Sequence, residues 1–90
     1  MKRCLYCGRI AEQNHHVIKR DKRKKGGGTD NPENLAPLCR ACHHAIHHGR
    51  DTEYRDAALQ KCYEYIKPNL DKCWQGKIKP KIIKLLEQEL

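Results

Sequence analysis

Long apolar runs are missing from this 90-residue chain, and no stretch is long enough to span a bilayer. The opening "MKRCLYCGRI" has a basic start but lacks the apolar segment of a secretion signal. The expectation is therefore a cytoplasmic protein with no membrane partner. Phenylalanine is absent and tryptophan occurs once, so the core of this one domain is small. Chains of such size commonly need a covalent or metal staple. No internal repeat breaks the sequence into copies. Acidic residues are scarce where basic ones are dense: residues 1–50 hold eleven Lys/Arg against four Asp/Glu, and residues 51–90 hold eight against seven. Most of the formal charge of +8 thus sits in the first half, which suits a polyanion such as nucleic acid.

Six cysteines are present, and four of them fall in two like pairs, Cys4-x-x-Cys7 and Cys39-x-x-Cys42. In a reducing compartment such pairs bind metal more often than they form disulfides. Each pair can turn two thiolates toward one tetrahedral ion, and together they complete a closed four-thiolate zinc site. Such a site adds folding free energy directly. A rival set, Cys39 and Cys42 with His43 and His47, leaves Cys4 and Cys7 idle. Cys62 and Cys73 stand alone in helical surroundings and read as small apolar filler.

The chain's organisation follows from its punctuation. "HHVI" at residues 15–18 reads as a strand, and "KRDKRKKGGGTDNPEN" as a loop, being too polar and glycine-rich for regular structure. "NLAPLC" is a second extended piece in which Pro37 fits an edge or an end. "RACHHAIHHG" reads as a helix closed by Gly49 just past its C-cap. On that helix His43 and His47 share one face, while His44 and His48 share another about 100° round. A second helix is expected from a cap at Asp51 or Thr52 to a stop at Pro68. Pro80 then opens a third, with Ile82, Ile83, Leu86 and Leu90 as its apolar stripe. Residues 1–50 form the ligand-bearing core, and residues 51–90 a helical extension packing on it or on a partner.

Taken in order, "HH" on a strand, a loop, "NPENLAPLC" and "CHHAIH" on a helix resemble the HNH endonuclease family in the version flanked by two cysteine pairs. The resemblance covers roughly residues 4–49. It implies an α+β fold, a small zinc-stapled ββα-metal domain, and leaves the additional C-terminal helices unexplained. It implies His15 as the strand metal ligand, His16 as general base, His43 as the first helix ligand, and His47 as the second or a phosphate contact. Asn34 corresponds to the family's central asparagine, which steadies the loop or assists at the metal. The chain departs from the commoner pattern by histidine at position 15, where many members have aspartate, and by its long basic loop.

The chemistry asks for these residue types by itself. Phosphodiester hydrolysis needs a water deprotonated near neutral pH, which is histidine's range, and a cation beside the phosphate. Neighbouring strand side chains point oppositely, so one of His15 and His16 binds while the other acts as base. Three imidazoles accept Zn²⁺, Ni²⁺, Co²⁺ or Mn²⁺ readily and Mg²⁺ less readily, although family members commonly use Mg²⁺ or Mn²⁺. Lys19, Arg20, Lys22, Arg23, Lys24 and Lys25 would clamp the DNA backbone. The expected function is thus a metal-dependent endonuclease acting on DNA, of the small kind that phages and mobile elements encode. The alternatives are a non-catalytic zinc-dependent DNA-binding module, or an adaptor whose C-terminal helix recruits a larger DNA-processing or packaging protein.

Overall fold

The structure, a computed structural model, describes residues 2–20 and 26–88. Its centre is an antiparallel pair, β1 (Gln13–His16) with β3 (Leu35–Leu38), followed by helix α1 (Arg40–His48). The register sets His15 opposite Ala36 and His16 opposite Leu35. Strand alternation then buries His15 and leaves His16 half-buried on the other side. The ladder runs two residues earlier than the β-branched pattern of residues 15–18 suggests. Pairing with β3 decides its extent, although the Val17 N–H still donates to the Asn34 carbonyl at 3.0 Å. Pro37 lies within β3 opposite Asn14, and its carbonyl accepts from the Leu5 N–H at 3.0 Å. A proline is tolerated there because the sheet has only two strands.

Helix α1 begins at Cys39, whose Sγ accepts from the Cys42 N–H at 3.4 Å, and ends at Gly49. Gly49 is itself the C-cap, and its φ of −68° is one that any residue adopts. Its need is steric instead: a Cβ there would lie 2.6 Å from the Ala45 carbonyl oxygen. Asp51 caps α2 (Thr52–Ile66) by accepting from the Tyr54 N–H at 3.1 Å. Ala58, Cys62 and Ile66 recur along α2 at helical spacing and are buried. A 3₁₀ segment, Lys67–Lys72, continues past the expected stop at Pro68.

The polar stretch between residues 19 and 34 is not wholly loop. It contains β2 (Gly26–Gly28) and a 3₁₀ turn, Pro32–Asn34. The glycines give no side-chain signal. They form a strand because β4 (Trp74–Gly76) returns to pair with them, Gly28 opposite Trp74. Gly28 must lack a side chain, since a Cβ would fall 1.7 Å from the Ile18 carbonyl oxygen. Finally α3 (Lys81–Gln88) buries Ile83 and Leu86 and half-buries Ile82, while Leu90 lies outside the described residues.

Two buried clusters result. Cys4, Ala36, Leu38, Cys39, Cys42 and Cys62 surround the cysteine pairs. Ile18, Ile66, Leu70, Cys73, Ile83 and Leu86 join the extension to the end of β1. Cys62 and Cys73 are fully buried, and burial pushes their thiols up to about 12 and about 11. They pack as apolar groups at neutral pH. Among the described residues no helix is long and apolar enough to cross a membrane.

Candidate metal centres and catalytic cleft

The two cysteine pairs converge. A tight turn with Gly8 at φ +78° carries Cys4 and Cys7, pinned by the Cys4 N–H to Arg9 carbonyl bond at 2.7 Å. Cys39 and Cys42 come from the start of α1. The four Sγ atoms lie within 4.8 Å of one another, with Cys7 and Cys39 at 3.5 Å, and none is in a disulfide. Burial works to raise the Cys4 thiol, but backbone N–H groups of Cys7, Cys39 and Tyr6 prevail and bring it down to about 6. Burial pushes Cys42 the other way. Four thiols at this spacing can share one cation, which would hold them as thiolates, so the donor set fits a metal ion. The Tyr54 hydroxyl lies 3.0 Å from Cys42 Sγ, linking the site to α2.

A second cluster is built from β1 and α1. His15, His43 and His47 place their ligand nitrogens within 4.8 Å of one another. Nε2 of His43 and Nε2 of His47 approach to 3.1 Å, and the His15 ring stands 5.2 Å from each of the other two centroids. Nδ1–H of His43 donates to Oε1 of Gln13, which leaves Nε2 with its lone pair toward the cluster. Burial, then the neighbouring His43 and His47, pull the His15 imidazole down to about 4; burial and His47 lower His43 likewise. Both are therefore shifted toward the neutral imidazole, the form a metal requires. His44 and His48 pair with each other, ring centroids 5.4 Å apart, and are outside this cluster.

Beside the imidazoles lies an open cleft of about 310 Å³, lined by Asn14, His15, His16, Lys19, Arg20, His43 and His47. His16 reaches it from the opposite side of the strand, its Nε2 hydrogen-bonded to Asp30 Oδ1 at 2.8 Å. Arg20 approaches the same carboxylate oxygen at 3.5 Å. Asn34 sits elsewhere. It is fully buried, its Oδ1 accepting from the Ile18 N–H at 2.8 Å. Its Nδ2 donates to the carbonyls of Ile18 at 3.0 Å and Thr29 at 2.8 Å. That amide ties the end of β1 to the loop and has no atom left for the cleft. Lys22, Arg23, Lys24 and Lys25 lie outside the described residues.

Three contributors escaped the sequence reading. Gln13 was findable, because it stands two positions before His15 on the same strand face. Tyr54 carried no signal of its contact with Cys42 Sγ. Asp30 carried no signal within "TDNPEN".

A sequence model of the HNH endonucleases matches residues 4–49, just over half of the chain. No curated protein and no solved structure matches the chain significantly.

Proposed function

The chain belongs to the HNH endonuclease family, and we propose that it is a metal-dependent endonuclease hydrolysing phosphodiester bonds of DNA. One observation carries this reading: a single cleft gathers His16, the three imidazoles His15, His43 and His47, and the cations Lys19 and Arg20. A binding module has no use for a half-exposed histidine beside a metal-ligand triad.

In this reading Cys4, Cys7, Cys39 and Cys42 hold a structural Zn²⁺, a closed site whose role is to fix the start of α1. His15, His43 and His47 hold the catalytic ion, Mg²⁺, Mn²⁺, Ni²⁺ or Zn²⁺. When bound there, a divalent ion supplies positive charge beside the scissile phosphate and steadies the departing oxygen. Lys19 and Arg20 draw the DNA backbone into the cleft. His16 accepts a proton from water, whose oxygen attacks phosphorus as the bond to the 3′ oxygen breaks. The 3′ oxygen leaves with the electron pair and takes a proton from solvent. The products carry a 5′-phosphate and a 3′-hydroxyl. Asn34 acts through the loop, holding His16 and Asp30 in their places.

The test is supercoiled plasmid incubated with the purified protein across Mg²⁺, Mn²⁺, Ni²⁺ and Zn²⁺, with a chelator control. Nicked or linear DNA in the presence of at least one ion, lost with chelator, is the expected result. Intact plasmid with every ion, at protein concentrations that bind DNA, would return the chain to the class of zinc-dependent DNA binders.

A further inference from the structure

The contact between His16 and Asp30 has a built surrounding. Asp30 is exposed, yet the residues on either side of it are anchored to one atom. Thr29 Oγ1 and Asn31 Nδ2 donate to the same Lys72 carbonyl oxygen, at 2.6 and 2.9 Å. The Thr29 N–H also donates to the Cys73 carbonyl at 3.1 Å, and the Thr29 carbonyl accepts from buried Asn34. The backbone at position 30 is thus held on both flanks by the 3₁₀ segment after α2. Held so, its carboxylate meets Nε2 of His16 at 2.8 Å, with the Arg20 guanidinium 3.5 Å away on the same oxygen.

A carboxylate accepts hydrogen bonds and, when ionised, cannot donate them. Opposite Asp30, Nε2 of His16 must carry the hydrogen, and Nδ1 keeps the lone pair. The free nitrogen is then always the one not occupied by the loop. We propose that Asp30 is the positioning residue for His16. It fixes the Nε2–H tautomer and the ring orientation, so that Nδ1 is the nitrogen left to take a proton from water. The proposal rests on the nuclease reading. It adds that residues beyond the matched segment 4–49, through the carbonyls of Lys72 and Cys73, frame the catalytic base.

The experiment compares the full-length wild type with Asp30→Ala and Asp30→Glu in plasmid-cleavage kinetics and in nitrogen NMR. Removing the outer partner of a metal-bound histidine typically costs about 10–100-fold, and a loss of that order is expected for an oriented base, below the ceiling of about 10²–10⁴ for the base itself. Asp30→Ala should lower kcat about 10–100-fold with KM for DNA unchanged or smaller, because a negative charge beside His16 and Arg20 is removed. Asp30→Glu should restore part of the loss. Metal uptake by the imidazole cluster, followed by Mn²⁺ titration, should be the same in all three. In the zinc-loaded protein at alkaline pH, the ring nitrogens of His16 should report a single Nε2–H tautomer in wild type and a mixture in Asp30→Ala. Wild-type kcat in Asp30→Ala, or an unaltered tautomer, would overturn the proposal while leaving the nuclease reading intact. A wild-type chain that cleaves no DNA with any ion would remove both.

Discussion

Replacing Asn34 separates two roles that a polar residue in this motif can have. The side chain is fully buried and makes three hydrogen bonds, one to the Ile18 N–H and two to the carbonyls of Ile18 and Thr29. Truncation to alanine leaves a buried donor and two buried acceptors without their partner, each worth about 1–3 kcal/mol. Water entering the vacated space recovers some of this, so the net cost is about 2–5 kcal/mol. For a chain of 90 residues the whole stability is on the order of 5–13 kcal/mol. Asn34→Asp is the sharper test because its shape is conserved. The carboxylate keeps the acceptor for the Ile18 N–H but turns an oxygen toward two carbonyl oxygens where an amide donated. It should therefore destabilise at least as much as alanine. A loss of about 3 kcal/mol lowers the melting temperature of so small a domain by roughly 12–24 °C. The assay is urea and thermal unfolding at saturating, fixed Zn²⁺, with cleavage measured separately under conditions where the variant stays folded. If Asn34→Asp melts like wild type but fails to cleave, Asn34 acts at the reacting centre, and the loop-clamp argument is wrong.

Other expectations follow from the same geometry. Cys7→Ser or Cys39→Ser should leave the chain largely unfolded, since the zinc site supplies folding free energy; native circular dichroism with an unchanged melting temperature would remove the staple. His16→Ala should lower the cleavage rate by about 10²–10⁴ while fold, metal content and DNA affinity persist, and undiminished turnover would place the base elsewhere. Alanine at His43 or His47 should remove or loosen the second metal with the thiolate site intact, whereas alanine at His44 or His48 should not. A metal titration giving the reverse order would contradict the helix faces described above. Neutralising Lys22, Arg23, Lys24 and Lys25 together should weaken binding to any DNA, each lost phosphate contact lowering the slope of log affinity against log salt by roughly 0.9. An unchanged slope would make that basic run a bystander.

The legible part of this molecule was the part whose signal is local. Cys-x-x-Cys spacing, the i, i+4 pair His43 and His47, and the Asp51 cap each declare their role within a few residues. The apolar stripe of α3 did the same, with Ile83 and Leu86 inside. What escaped depends on distant partners. Gly26–Gly28 has no intrinsic strand preference and becomes one only because Trp74–Gly76 pairs with it. Gly49 was expected just past the C-cap of α1, but it is the cap itself, and its reason is the carbonyl of Ala45 pressing where a Cβ would stand. Asp30 was one polar residue among many until Lys72 gathered its neighbours. Local chemistry announced the candidate ligands, and long-range closure arranged the groups around them.

That closure has a consequence for how the chain matures. Thr29 and Lys72 are 43 positions apart, so the Asp30 loop cannot be completed until the second half of the chain has left the ribosome. All seven metal-ligand candidates, from Cys4 to His47, emerge earlier. At about 5–20 residues per second, translation separates the two events by a few seconds. A nascent chain can therefore load its ions while His16 still lacks its frame. On the proposed nuclease reading, metal capture comes first and competence to cut comes last, at the moment β4 closes over the glycines.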